Sequence, residues 1–240
     1  MTFAVLGPWK ISRLRKSEIT NLVDEYSGRK DTIVISTPNL HHIYLVDKSP
    51  LLKNLVSGFQ IHLPDGWPVA LAASFKTRKL FCRLSGADLL KEILYDSNAN
   101  TRTVLIISDI QSNDPMVSTQ GKLYLFNPGY SDEVDVLADR IIQFLKECQD
   151  FGILILCLGF PKQEYVAEKL RSIFRGPILC LGASLDYLTG KQIRSPLLLQ
   201  FLGLEWCWRL FHDPMRLGNR YAKCIRYGLP ALIRMVIKNV

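Results

Sequence analysis

FGILILCLGFPKQE, residues 151–164, is an apolar run that closes in a turn and then opens a helix. Ile153 to Leu158 is apolar at every position, with no alternation. That pattern fits a strand buried on both faces, and so a parallel sheet covered by helices on each side. After the turn, Pro161 suits a first helical position through its fixed φ and missing N–H. The spacing then predicts a helix over Lys162–Phe174.

The same alternation runs outward in both directions. Strands are predicted at Thr32–Thr37, Phe59–Leu63, Arg102–Ser108, Lys122–Phe126, Gly152–Leu158 and Pro177–Leu181. Helices are predicted at Asn39–Lys48, Gly66–Lys76, Gly86–Asp96, Asp132–Glu147 and Lys162–Phe174. Strands alternating with helices give an α/β, Rossmann-like fold, mostly parallel, with helices on both faces. After Gly190 the pattern changes. Ser195–Phe211, Pro214–Tyr227 and Pro230–Val240 all read as helix, and no strand follows. The organisation expected is a core over residues 1–190 and a helical C-terminal appendage over 191–240.

With 240 residues, 48% apolar and 22% charged, the chain can bury a sizeable core, and global disorder is excluded. The longest apolar run, Phe151 to Phe160, has 10 residues, against the ~20 of a spanning helix. Met1 to Lys10 has neither a basic nor an apolar leader region, so a cytoplasmic location is expected. The six cysteines show no C-x-x-C spacing and read as thiols rather than a disulfide or zinc framework.

The net charge of +8 is uneven. From Lys191 onward there are nine bases and two acids, or +7, which leaves the first 190 residues near +1. That distribution argues against a nucleic-acid footprint on the core. Arg209, Arg216, Arg220 and Lys223 are spaced by seven, four and three, as on one helical face, with Trp206, Leu210, Leu217 and Tyr221 nearby. A solvated face is the plainer reading, but +7 over 50 residues is too lopsided for it; anionic lipid headgroups or a lipid-linked phosphate fit that mixture.

Ligands of open α/β sheets bind beyond the carboxyl ends of the strands, where several polar turns fall. Gly159-Phe-Pro-Lys-Gln-Glu164 is either an ordinary strand–helix turn or a phosphate cradle. In the second case the helix start at Pro161, with Lys162 and Gln163, supplies donors. Gly182 to Asp186 is another such turn. No G-x-G-x-x-G or P-loop is present. Asp65, between Pro64 and Gly66, is either a helix N-cap or a general base whose basicity an apolar wall of Leu63 and Trp67 would raise. Thr37 and Asn39 read as turn and cap residues, or as donors to a sugar or phosphate. Arg83, before Ser85-Gly86-Ala87-Asp88, is a solvated charge or a diphosphate partner. No D-x-D is present, and Glu133-Val134-Asp135 sits where acids suit a helix start.

Together, Thr37-Pro-Asn39, Pro64-Asp65-Gly66, Arg83-x-Ser-Gly-Ala-Asp88, Leu158-Gly-Phe-Pro-Lys-Gln-Glu164, Gly182-Ala-Ser-Leu-Asp-Tyr-Leu-Thr-Gly190, Arg194-Ser-Pro196, Gly203-Leu-Glu-Trp-Cys-Trp-Arg-Leu210, Asp213-Pro-Met-Arg-Leu217 and Arg220-Tyr221 resemble the WecG/TagA/CpsF family of bacterial glycosyltransferases, glycosyltransferase family 26. The resemblance implies an inverting, metal-independent transfer of a hexose from a UDP-sugar to a sugar on a polyprenyl diphosphate. The hexose would be N-acetylmannosamine, its uronic acid or glucose. No cofactor is implied. The enzyme would sit peripherally on the anionic inner face of the bacterial membrane and serve teichoic acid or exopolysaccharide synthesis. By matching position, the resemblance implies Asp65 as catalytic base, with Thr37, Asn39 and Gln163 at the reacting centre. Arg83 would contact the donor diphosphate, and Arg209, Arg216 and Arg220 the acceptor diphosphate. Gly159, Pro161, Lys162, Gly182 and Asp186 fall on the donor side. Two departures stand out: an abbreviated crossover at Asp109–Gln120 and a weak match over Met1–Glu25. The rival readings are a nucleotide-sugar hydrolase and a non-catalytic adaptor at the membrane surface. Homo-oligomerisation is left open.

Overall fold

The computed structural model describes residues 2–29, 31–109, 122–148 and 151–238. Its strands are β1 (Phe3–Leu6), β2 (Trp9–Ser12), β3 (Thr32–Ser36), β4 (Ile61–His62), β5 (Thr103–Ser108), β6 (Lys122–Phe126), β7 (Ile153–Cys157) and β8 (Gly176–Cys180). They form one sheet in the order β1-β2-β4-β3-β8-β7-β5-β6. β1 and β2 pair antiparallel, and every other pairing described is parallel. The chain therefore has the α/β architecture expected, with a mixed, mostly parallel sheet.

β7 shows why. All five of its side chains are buried, and a strand sends successive side chains to opposite faces. Ile153, Ile155 and Cys157 enter one apolar layer with α1 (Lys16–Ser27) and α5 (Gly86–Tyr95). Leu154 and Leu156 enter the other, with α6 (Val134–Glu147) and α7 (Lys162–Leu170). A third cluster joins the β1–β2 hairpin to α2 (Leu40–Lys48), α3 (Pro50–Ser57) and α4 (Trp67–Thr77).

The C-terminal part departs from expectation. The helix predicted over Ser195–Phe211 is two helices, α9 (Leu197–Phe201) and α10 (Glu205–His212). They break at Gly203, whose φ is +73°. A Cβ there would lie 2.7 Å from Cδ1 of Trp67, so the chain needs glycine both to turn and to pass the indole. α11 (Pro214–Lys223) continues through a π-helical turn, Cys224–Gly228, into α12 (Leu229–Ile237). α8 (Ser184–Leu188) lies between β8 and α9. α12 returns to the sheet and buries Ala231 and Leu232 in the third cluster. The last helix thus rests on the core by one face, whereas α9 buries none of its residues.

The four bases Arg209, Arg216, Arg220 and Lys223 do not share a single helix. Arg209 lies on α10 and the others on α11, because Asp213 leaves helical geometry and caps α11 by accepting from the Arg216 N–H. Asp109–Gln120, the segment expected to be abbreviated, lies outside the described residues after Asp109. The six cysteines are free thiols, with Cys157, Cys180 and Cys224 buried. Among the described residues, no helix is long and apolar enough to cross a membrane.

Candidate active site

The turns after β3 and β4 run side by side at the carboxyl edge of the sheet. The Asp65 N–H donates to the Pro38 carbonyl at 3.0 Å, and the Leu84 N–H to the Pro64 carbonyl at 2.9 Å. These two backbone bonds bring Asn39, Asp65 and Arg83 to one place. Asn39 caps α2, its Oδ1 accepting from the His41 and His42 N–H groups at 3.0 and 3.3 Å, while its side chain also hydrogen-bonds Asp65. Asp65 is not a cap. The N-cap of α4 is Gly66, with no side-chain cap bond. Burial raises the proton affinity of the Asp65 carboxyl, against the opposing pull of Arg83, Arg209 and the Asn39 hydrogen bond, and Glu205 adds to the rise. The carboxyl is therefore more basic than an ordinary aspartate.

Arg83 is not the solvated charge of the plainer reading. Its side chain is only 13% exposed, and Nη2 donates to Glu205 Oε2 at 2.5 Å. The other oxygen of Glu205 accepts from Arg209, one turn along α10. One carboxylate from the C-terminal helices thus joins an arginine of the core to an arginine of α10. The Trp67 Nε1–H donates to the Gln200 carbonyl at 3.3 Å; with the close approach at Gly203, this seats α9 and α10 against the start of α4. Arg209 also lies over the Tyr187 ring, 5.1 Å from its centroid.

Arg220 extends the cationic wall. Its Nε is buried with no partner among the described residues, and burial lowers its proton affinity. Burial, Arg220 and Lys223 together depress His41 to about 4, so His41 is neutral at physiological pH. Arg216 is turned outward, 65% exposed and paired with Asp213 at 2.5 Å.

A second group of expected residues sits at the ends of β7 and β8; Thr37, Gln163 and Gly182 in it carry no charge, and beside them Glu164 Oε2 is buried with no partner among the described residues. The Thr37 hydroxyl donates to the Cys180 carbonyl at 3.1 Å. Gln163 is buried. Its Nε2 donates to Glu164 Oε1 at 3.0 Å, and its Oε1 accepts from the Gly182 N–H at 2.9 Å. The amide therefore holds the Gly182 turn against the start of α7. Glu164 is buried too, and burial pushes its carboxyl up to about 8. Gly159 and Gly182 both have positive φ, and Pro161 is the N-cap of α7. Lys162 reaches sideways, donating to the Ser131 carbonyl at 2.7 Å over the Tyr130 ring. Asp186 accepts from Gln192 Nε2 at 3.2 Å.

The structure thus brings Asn39, Asp65, Arg83 and Arg209 into one cluster, with Arg220 beside it. Thr37, Gln163 and Gly182 form another, and Lys162, Asp186 and Arg216 each turn to local partners. Glu205, Tyr187 and His41 belong to the first cluster although they were not singled out. For Glu205 the signal was its i,i+4 spacing from Arg209. The chemistry available is a basic carboxylate flanked by guanidinium groups, which can take a proton on one side and steady an anion on the other.

Comparison with known proteins gives this arrangement a context. The profile of the glycosyl transferase WecG/TagA/CpsF family matches residues 4–239. The β1–β2 hairpin therefore lies almost wholly inside the match, although its sequence looked weakest. Two curated relatives are each named N-acetylglucosaminyldiphosphoundecaprenol N-acetyl-beta-D-mannosaminyltransferase. One, from Bacillus subtilis (strain 168), is 26% identical over 90% of this chain and 87% of its own length. The other, from Bacillus spizizenii (strain ATCC 23059 / NRRL B-14472 / W23), is 24% identical over 83% and 80%.

Proposed function

Because the chain belongs to the WecG/TagA/CpsF family of glycosyltransferases, we propose that it moves a hexose, N-acetylmannosamine in the first instance, from a UDP-sugar to a sugar carried on a polyprenyl diphosphate. The names of the two relatives support the acceptor and the sugar. The observation that carries the chemistry is the buried Asp65 carboxyl, raised in basicity and set among Asn39, Arg83 and Arg209.

In this reading transfer is a single inverting displacement. The acceptor hydroxyl attacks the anomeric carbon, and Asp65 takes the hydroxyl proton. The bond from that carbon to the diphosphate oxygen breaks, and UDP leaves with the electron pair. Arg83 and the start of α7 steady the departing charge, while Arg209 and Arg220 hold the acceptor diphosphate. Thr37, Gln163 and Gly182 shape the donor side. The one other carboxylate beside Asp65, Glu205, has both oxygens engaged by Arg83 and Arg209, and the remaining groups there are guanidinium, amide and phenol, which suit an anion rather than a metal cation, so transfer is expected to proceed without a metal. The exposed apolar side chains of α9–α11, together with Arg216, would lie on the anionic inner face of the membrane.

The test is a panel of UDP-sugars with a short polyprenyl-diphosphate-linked N-acetylglucosamine, with products read by mass and with and without EDTA. The expected product is the acceptor plus one N-acetylhexosamine in both arms. Free sugar released at a comparable rate would favour a hydrolase. Lipid binding without UDP-sugar affinity would favour an adaptor. Turnover lost in EDTA and restored by magnesium or manganese would overturn metal independence.

A further inference from the structure

The glutamate at the start of α10 has no role in the reaction outlined above, yet it is the most heavily engaged charge at the site. Its side chain is only 11% exposed, and its two oxygens accept from two arginines. The partners come from different parts of the chain: Arg83 precedes α5, while Arg209 sits one turn further along α10. We infer that Glu205 is a positioning residue for transfer, a single carboxylate that draws Arg83 and Arg209 together and balances their charge beside Asp65. The inference rests on Asp65 being the base of the proposed reaction.

Two arginines beside a carboxylate stabilise its ionised form and make it a poorer base. Left unopposed, Arg83 and Arg209 would do that to Asp65. Glu205 offsets them while leaving both guanidinium groups with N–H donors to offer an incoming diphosphate. Four charges then stand together, two positive and two negative. The groups facing Asp65 are Asn39 from the start of α2, Arg83 from before α5, Tyr187 from α8, and Glu205 and Arg209 from α10. The only negative charge among them is Glu205. A diphosphate arriving at the arginines adds negative charge and raises the basicity of Asp65 further at the moment a proton must be taken. Glu205 is held to its place by the seating of Gly203 and Gln200 on Trp67. The charge balance therefore exists only when α10 is docked.

The test reads Asp65 directly. In full-length chain labelled with carbon-13 at aspartate carboxyls, the Asp65 resonance is assigned by its absence in Asp65→Asn and titrated. Glu205→Gln should move its midpoint down by about one pH unit, the effect of one nearby charge. The acid limb of kcat/KM for transfer should move with it. Arg209→Met should move the midpoint upward. The double variant Glu205→Gln/Arg209→Met, with the original net charge restored, should return it close to wild type. A purely structural role would lower the melting temperature and leave the midpoint in place; that result in a folded Glu205→Gln protein overturns the inference. If Glu205→Gln does not fold, an unmoved midpoint in Arg209→Met overturns it equally. The carbon-13 titration needs no turnover. Failure of every donor to react would therefore sink the proposed reaction without deciding the role of Glu205, which the titration decides separately.

Discussion

The centre of the sheet and the segment from α9 to α11 put the same residue types to opposite uses. Every side chain of β7 is buried. Leu197, Phe201, Phe211 and Met215, no less apolar, are 79–93% exposed. β7 is buried because helices from both sides close over it. α9 is too short to build a layer, and it touches the core at a joint formed by Trp67, Gln200 and Gly203. Apolar composition alone therefore does not say what a segment is covered by; an apolar cluster left in water beside basic residues is suited to a surface of opposite charge. Asp65 stands at the border between the two regions and receives groups from both.

The sharpest break between chemistry and stability should come at that border. Asp65→Asn should lower transfer by ~10²–10⁴-fold. Its melting temperature should stay near wild type, since Gly66 rather than Asp65 caps α4. Retained turnover would remove Asp65 from the reaction; a large stability loss would mean the border is structural.

Charge reversal tests the outer region. Each base near an anionic bilayer contributes ~1 kcal/mol, so Arg216→Glu with Arg220→Glu should weaken binding to anionic vesicles roughly 5- to 30-fold at low salt through the exposed Arg216. UDP-sugar affinity should change much less. A short soluble acceptor separates the two roles. Recovery on it assigns the arginines to the membrane, and continued inactivity assigns them to the acceptor diphosphate. Undiminished vesicle binding would break the comparison itself.

Gly203→Ala tests the joint. The new methyl would collide with the Trp67 indole, at a cost of about 1–3 kcal/mol. Limited proteolysis should cut near α9 faster while the urea midpoint of the sheet moves little. Unchanged cleavage would show that the joint does not hold α9.

A further effect lies inside the core, where only pH reveals it. Folded Glu164 holds its proton up to about 8, above its ordinary 4.5. Between those values the unfolded chain has released a proton that the folded chain keeps, so stability falls as pH rises from about 4.5 to about 8. Glu164→Gln should flatten that decline. Urea midpoints at pH 5 and pH 8 measure it, and an unchanged slope would show that Glu164 is already ionised.

Where one local rule governed, the sequence was enough. The unbroken apolar runs placed β3, β5, β7 and β8 within a residue or two, because burial on both faces leaves no alternation; β6, at the sheet edge, was placed by its run of large apolar residues. Asp65 and Asn39 were legible as polar residues at strand ends, and Arg83 as a base ahead of the capped start of α5. The β1–β2 hairpin was not read, because four-residue strands carry little pattern. α3 was passed over despite Ser49 as a cap and Pro50 behind it. The break at Gly203 depends on Trp67, 136 positions earlier in the chain, and no local rule contains that contact. The same holds for Glu205. Its spacing announced one arginine partner, but only the folded chain brings Arg83 to the other oxygen.

That separation has a consequence for the newborn protein. Arg83 and Glu205 are 122 residues apart in the chain, which at ~5–20 residues per second is roughly 6–24 s of synthesis. β3, in the middle of the sheet, must also wait for β8 before its second edge is paired. Through that interval the ribosome carries a chain with an open central strand and an aspartate still without its α10 partners. A polypeptide released after β8 and before α10 would retain the sheet's sequence and none of the charge arrangement at its border.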